Sequence, residues 1–223
     1  ATRAYGWFKE NPNELCDTVR HLTDDTLFQP GADAIKFFFR RVGVISGFIV
    51  NAEKAKKLSS DLFDGRLYYQ MYLAGMLMAE GQGYYFSDVM TLSRDTEAPD
   101  FGNAGTEKGV FTPGGYKPEG RIHMVEGLLL IAKYIEDTTK IDGVYAGIRK
   151  DLANYFYPYI RDQLDLPLYT YIKMINKFRK MGFSNEKLFY VHAFLGYVLK
   201  RRGYDALIKY IRSKKGGTPR LGI

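Results

Sequence analysis

Six glycines and three prolines fall between residues 95 and 120, with almost no apolar periodicity among them. Proline deletes a backbone donor and glycine weakens helix and strand alike, so no regular element of ordinary length is expected to cross this stretch. It parts the chain into two unlike regions. Ahead of it, β-branched and aromatic runs alternate with short helical patterns; behind it the spacing is helical throughout. The organisation expected is a partial α/β unit over 1–94, a Gly/Pro-rich loop over 95–120 and a helical region over 121–223. A loop of that length in a compact chain serves as a substrate cover or as a boundary.

In the first region, residues 13–22, 32–41 and 52–58 read as short helices. Residues 42–51 combine Val, Ile, Phe and Gly in the manner of a buried central strand. Phe63-Asp64-Gly65 is a turn signal, and residues 66–80 carry Leu, Met, Ala and Tyr at helical spacing until Gly81 and Gly83 stop them. A second strand follows over 84–92. Strand, helix and strand make one α/β unit, with too few strands for a doubly wound sheet. In the second region helices are expected at 121–140, 144–164, 168–181, 185–202 and 204–213, broken at Gly143, Pro167, Gly182 and Gly203.

Apolar residues make up 46% of the 223 and charged residues 26%, a balance that excludes a disordered chain. Cys16 is the single cysteine, so no intrachain disulfide or thiolate metal cluster can form, which fits a reducing, cytoplasmic setting. No apolar run reaches the roughly 18 residues that span a bilayer. The net charge of +7 is unevenly placed. From Pro167 to Ile223 there are 13 Lys and Arg against Glu186 and Asp205, whereas residues 1–166 hold 19 basic and 23 acidic residues. A basic quarter suits an anionic partner or serves as a solvated face. Within it, the apolar run 188–199 is closed by Lys200-Arg201-Arg202 and followed by Lys209, Arg212, Lys214 and Lys215. This run reads either as a buried core helix or as a helix lying in the interface of an anionic membrane. The charge comes with no recognisable nucleic-acid module, so nucleic acid is not an expected partner.

His21, His123 and His192 lack metal-ligand spacing and read as structural or surface residues. Cys16 reads as an inert thiol in a short helix, and Asp24-Asp25 as a cap or a solvated pair. Asp100-Phe101-Gly102 shares three letters with a protein-kinase motif but has none of its companions. Neither a Gly-x-x-x-x-Gly-Lys loop nor a dinucleotide glycine fingerprint is present, so no complete nucleotide, cofactor or metal site is expected in this chain.

Three runs belong together: Val44 to Asn51, then Leu62-Phe63-Asp64-Gly65-Arg66-Leu67-Tyr68-Tyr69-Gln70 and on to Ala74, then Gly83-Tyr84-Tyr85-Phe86-Ser87-Asp88 with Arg94. Over about residues 40–105 they resemble the second half of the inverting family 2 glycosyltransferases, bacterial sugar transferases with a nucleotide-diphosphosugar-binding α/β fold. The resemblance implies a small partial sheet followed by a C-terminal helical extension. It also implies the acceptor-side half of an enzyme that moves a sugar from a nucleotide-diphosphosugar donor to a glycan or lipid-linked saccharide, on or near the inner membrane face. The family's uridine-binding strand and its Asp-x-Asp motif, which holds Mn or Mg on the donor diphosphate, have no counterpart in residues 1–40. Donor and metal are therefore expected on a half lying upstream.

The family's Glu-Asp base on the acceptor helix is also missing; Tyr68-Tyr69-Gln70 stands in its place. Inverting transfer needs a carboxylate near the acceptor hydroxyl. Asp64 is the candidate, though it reads first as the N-cap of the helix at 66–80. Ser46, Gly47, Tyr68, Tyr69 and Gln70 are the implied substrate contacts, since tyrosine rings stack on sugar faces, and Arg94 is an implied phosphate contact. The competing reading is a non-catalytic, α-rich module that docks on a membrane surface or a protein partner through its basic quarter.

Overall fold

A computed structural model describes residues 1–94, 111–112 and 115–215. Among the described residues the fold is mixed α/β, about 58% helical, with a small open sheet. Four strands make that sheet: β1 (Thr2–Phe8), β2 (Leu15–Val19), β3 (Thr26–Phe28) and β4 (Gly83–Arg94), in the order β2-β1-β4-β3. β1 and β4 are parallel, which a long crossover connection between them allows, while the two outer strands are antiparallel to their neighbours. Thr2 to Gly6 are buried in an unbroken run, which is why Thr-Arg-Ala-Tyr-Gly shows no alternation of polar and apolar residues.

Between β3 and β4 lie α1 (Ala32–Arg41), α2 (Ala52–Lys57) and α3 (Tyr69–Glu80). Ile35, Phe38 and Phe39 recur at helical spacing on α1 and are buried where it packs on α3. A two-residue-strand hairpin follows, β5 (Phe111–Thr112) with β6 (Gly115–Tyr116). Then come α4 (Pro118–Thr139), α5 (Val144–Asn154), α6 (Tyr157–Ile160), α7 (Leu168–Lys180) and α8 (Lys187–Lys215). One apolar core runs from Ala34 on α1 to Ile208 on α8 and so joins the sheet side to the helical side. Gly75 lets α3 and α4 meet closely: a Cβ there would lie 2.2 Å from Ile135 Cδ1. Farther along, the Phe156 ring sits 5.1, 4.9 and 4.8 Å from those of Phe178, Phe183 and Phe189, edge to face.

The structure corrects several expectations. Residues 13–22 are not helical; Leu15–Val19 is β2, held by pairing with β1 from Tyr5↔Val19 to Phe8↔Leu15. Residues 42–51 form no strand, because both ladder positions beside β4 are taken by β1 and β3. That segment instead turns through Gly47 (φ 76), leaving Ile45 and Ile49 exposed. The small sheet of the expected fold class is thus present, but its partner for β4 is β1. Helix α3 begins at Tyr69 rather than 66, its N-cap being Tyr68, so Asp64 does not cap it. The expected 144–164 helix stops at Asn154, since Pro158 cannot donate to the carbonyl four residues back; that Asn154 oxygen lies 3.2 Å from His192 Nε2 instead. The break expected at Gly203 falls at Lys200 (φ 56, ψ 175). Residues 95–110 and 113–114 of the expected loop lie outside the described residues, and α4 already starts at Pro118. Among the described residues no helix is long and apolar enough to cross a membrane.

Candidate functional site

A cleft open to solvent forms where β1, the end of α1, the start of α3 and the α5–α6 junction meet. Its walls are mainly aromatic and cationic: Tyr5, Tyr68, Tyr155 and Tyr159, with Arg40, Arg41 and His21. Arg40 and Arg41 end α1, whose buried face fixes their direction. They converge on Asp151 of α5, at 2.8 Å from Arg40 Nε and 3.1 Å from Arg41 Nη1. Arg40 also lies over the Tyr155 ring, 4.4 Å from its centroid. Two guanidinium groups therefore share one carboxylate.

A third cation stands behind this pair. Arg3 is 1% exposed and makes no ion pair among the described residues. Its Nε donates to Thr91 Oγ1 at 3.1 Å, its Nη1 and Nη2 have no partner there, and its guanidinium sits 4.8 Å from the centroid of Tyr5. Burial lowers its pKa, yet a guanidinium stays protonated in proteins. The field shows in His21. Burial first, then Arg41, Arg40 and Arg3, hold its pKa well below the ordinary value, so its ring is neutral at pH 7. Burial also pushes the Tyr159 hydroxyl upward, which keeps it a hydrogen-bond donor.

Tyr68 enters the cleft from a left-handed backbone, φ 72 and ψ 39. That conformation costs a bulky residue about 1–2 kcal/mol, and such strain concentrates at binding sites. Gln70 supports the same wall by donating from Nε2 to the Gly43 carbonyl at 3.1 Å. Of the residues implied by the sequence, Tyr68 lines the cleft and Gln70 braces it. The others lie elsewhere. Tyr69 accepts from the Ser60 amide at 3.0 Å, and Arg94 donates to the Lys9 carbonyl at 3.1 Å from the end of β4. Ser46 and Gly47 are exposed on the turn after α1, where a Cβ on Gly47 would lie 2.3 Å from Arg3 Nε. Asp64 is exposed on the turn before α3, its amide bonded to the Asp61 carbonyl.

Tyr5, Arg40, Arg41, Tyr155 and Tyr159 are not among the residues the sequence singles out, and His21 reads there only as a structural or surface residue. The doublet Arg40-Arg41 at a helix end and the run Tyr155-Phe156-Tyr157-Pro158-Tyr159 were the available signals. The pocket can stack rings against its tyrosines and hold an anion with its surplus positive charge. No carboxylate is among the described residues that line it. No protein-family model, no curated protein and no solved structure matches the chain.

Proposed function

We propose that the chain is the acceptor-side half of a sugar transferase that uses a nucleotide-diphosphosugar donor, and that its cleft holds a saccharide acceptor. The observation that carries the reading is the pairing of Tyr68, Tyr155 and Tyr159 with Arg40 and Arg41 around one opening. Tyrosine faces suit the apolar faces of a sugar ring, and two guanidinium groups sharing one carboxylate leave charge for a phosphate on the acceptor. In this reading the acceptor oxygen forms its bond to the anomeric carbon as the bond from that carbon to the donor diphosphate breaks. The acceptor proton passes to a carboxylate supplied with the other half, since Asp64 stands outside the lining of the cleft. Donor and Mn or Mg ion belong to the other half.

Titration calorimetry tests it with glucose 1-phosphate, methyl glucoside and, with Mn²⁺, uridine diphosphoglucose. The phosphorylated sugar is expected to bind, the neutral glycoside to bind about tenfold more weakly or beyond detection, and Tyr155→Ala to weaken both. Micromolar binding of the nucleotide sugar would contradict a half-enzyme lacking the donor site, and failure of both simple sugars to bind would remove the acceptor assignment.

A further inference from the structure

Between Lys187 and Lys200, α8 carries no charged residue. Its inner face is satisfied: Phe189 is fully buried and Ala193 is 6% exposed. Its outer face is not, for Leu188, Val191, Phe194 and Val198, spaced by three, three and four residues, are 45%, 44%, 68% and 59% exposed. Helix α7 lies alongside, where the Tyr171 hydroxyl donates to the Ala193 carbonyl and its ring stacks on Tyr197, 4.6 Å between centroids. Near Tyr171 on that helix, Leu168, Tyr169 and Ile172 are exposed as well. A helix that is apolar all round is normally covered on every side, and an uncovered face of this kind marks a docking surface.

Charge decides what covers it. Exposed Lys173, Lys177, Arg179 and Lys180 on α7 frame the patch, with Lys187 ahead of it and Arg201 and Arg202 behind. The two acidic residues of this quarter are both engaged with arginines of the helical body: Glu186 lies 3.6 Å from Arg149, and Asp205 lies 2.7 Å from Arg161. What remains is an apolar strip inside a cationic rim. A second copy of this chain would set cations against cations, whereas an anionic bilayer offers apolar depth beneath a negative surface. Twelve uncharged residues cover about 18 Å, too little to cross a hydrocarbon core of about 30 Å, so the strip can only lie flat. Exposed Tyr169 and Tyr190 have the amphipathic rings that favour such an interface.

We propose that α7 and α8 form a docking face for an anionic membrane surface, with Phe194 and Val198 entering the headgroup boundary and the flanking Lys and Arg side chains contacting acidic lipids. The assignment is independent of what the cleft binds.

Co-sedimentation with vesicles tests it, using phosphatidylglycerol mixed into phosphatidylcholine against phosphatidylcholine alone, at low and at high salt. The anionic vesicles are expected to carry the chain down. High salt should weaken this about tenfold or more, because exposed charges are screened beyond about 8 Å at physiological ionic strength. Phe194→Asp with Val198→Asp should reduce binding by a similar factor with the melting transition kept, since both positions are exposed. Arg201→Glu with Arg202→Glu should remove the preference for anionic lipid. Binding to neither vesicle, equal binding to both, or indifference to the Asp pair overturns the proposal. So does a dimer in light scattering that Phe194→Asp dissolves, which would make a second copy the occupant.

Discussion

Tyr68 sits in a left-handed backbone that a bulky residue resists, and His21 is held neutral by burial and by three guanidinium groups. His21 has a measurable consequence. Its folded pKa lies below the unfolded value of about 6.5, so near that pH the unfolded chain binds more protons than the folded one. Stability is therefore complete above about pH 6.5 and is lost as the pH falls below it, by at most about 1.4 kcal/mol per pH unit for one proton. Urea unfolding followed from about pH 7.5 down to about pH 5 should show this slope, and His21→Asn should flatten it. His192, whose pKa burial also lowers, adds to this slope, while Asp205, pushed up to about 6 by burial, opposes it below about that pH. A slope unchanged by His21→Asn would mean that Arg3, Arg40 and Arg41 do not act on this ring. None of this was legible from His21 in sequence, because the charges that set its state come from β1 and from the far end of α1.

At the scale of elements, the contact of α3 with α4 turns on Gly75. Alanine there gains helix propensity by up to about 1 kcal/mol, but its methyl group meets Ile135, which is fully buried and has no room to withdraw. Overpacking costs about 1–3 kcal/mol, so Gly75→Ala should lower stability, and adding Ile135→Val should restore part of it. Additive effects of the two changes would show that the helices do not meet there. Helix α1 was legible because Ala34, Ile35, Phe38 and Phe39 repeat at its period, and β4 because its aromatic and β-branched residues stand between glycines and the 95–120 stretch. β1 was hidden: a strand buried on both faces with Arg3 and Gly6 inside it has neither alternation nor an apolar run. Residues 42–51 misled for the opposite reason, since strand propensity makes no strand when the neighbouring ladder positions are filled.

In the whole molecule, the cleft belongs to neither region alone. Tyr5, Arg40 and Tyr68 come from the sheet side, while Tyr155, Tyr159 and the Asp151 that fixes the arginines come from the helical side. This explains why so little of the site could be read in advance. Tyr68 was one of eighteen tyrosines, and Arg40 and Asp151 are brought together only by packing of α1 on α5. That this shared cleft receives a phosphorylated sugar is our proposal. An NMR titration of the chain with glucose 1-phosphate tests it most directly, because it locates the ligand. Amide shifts are expected to concentrate at Gly43, Tyr68, Tyr155 and Tyr159, which line the cleft, and to be abolished by Tyr68→Ala. Shifts confined to the basic surface of α7 and α8, or unchanged in that variant, would contradict it.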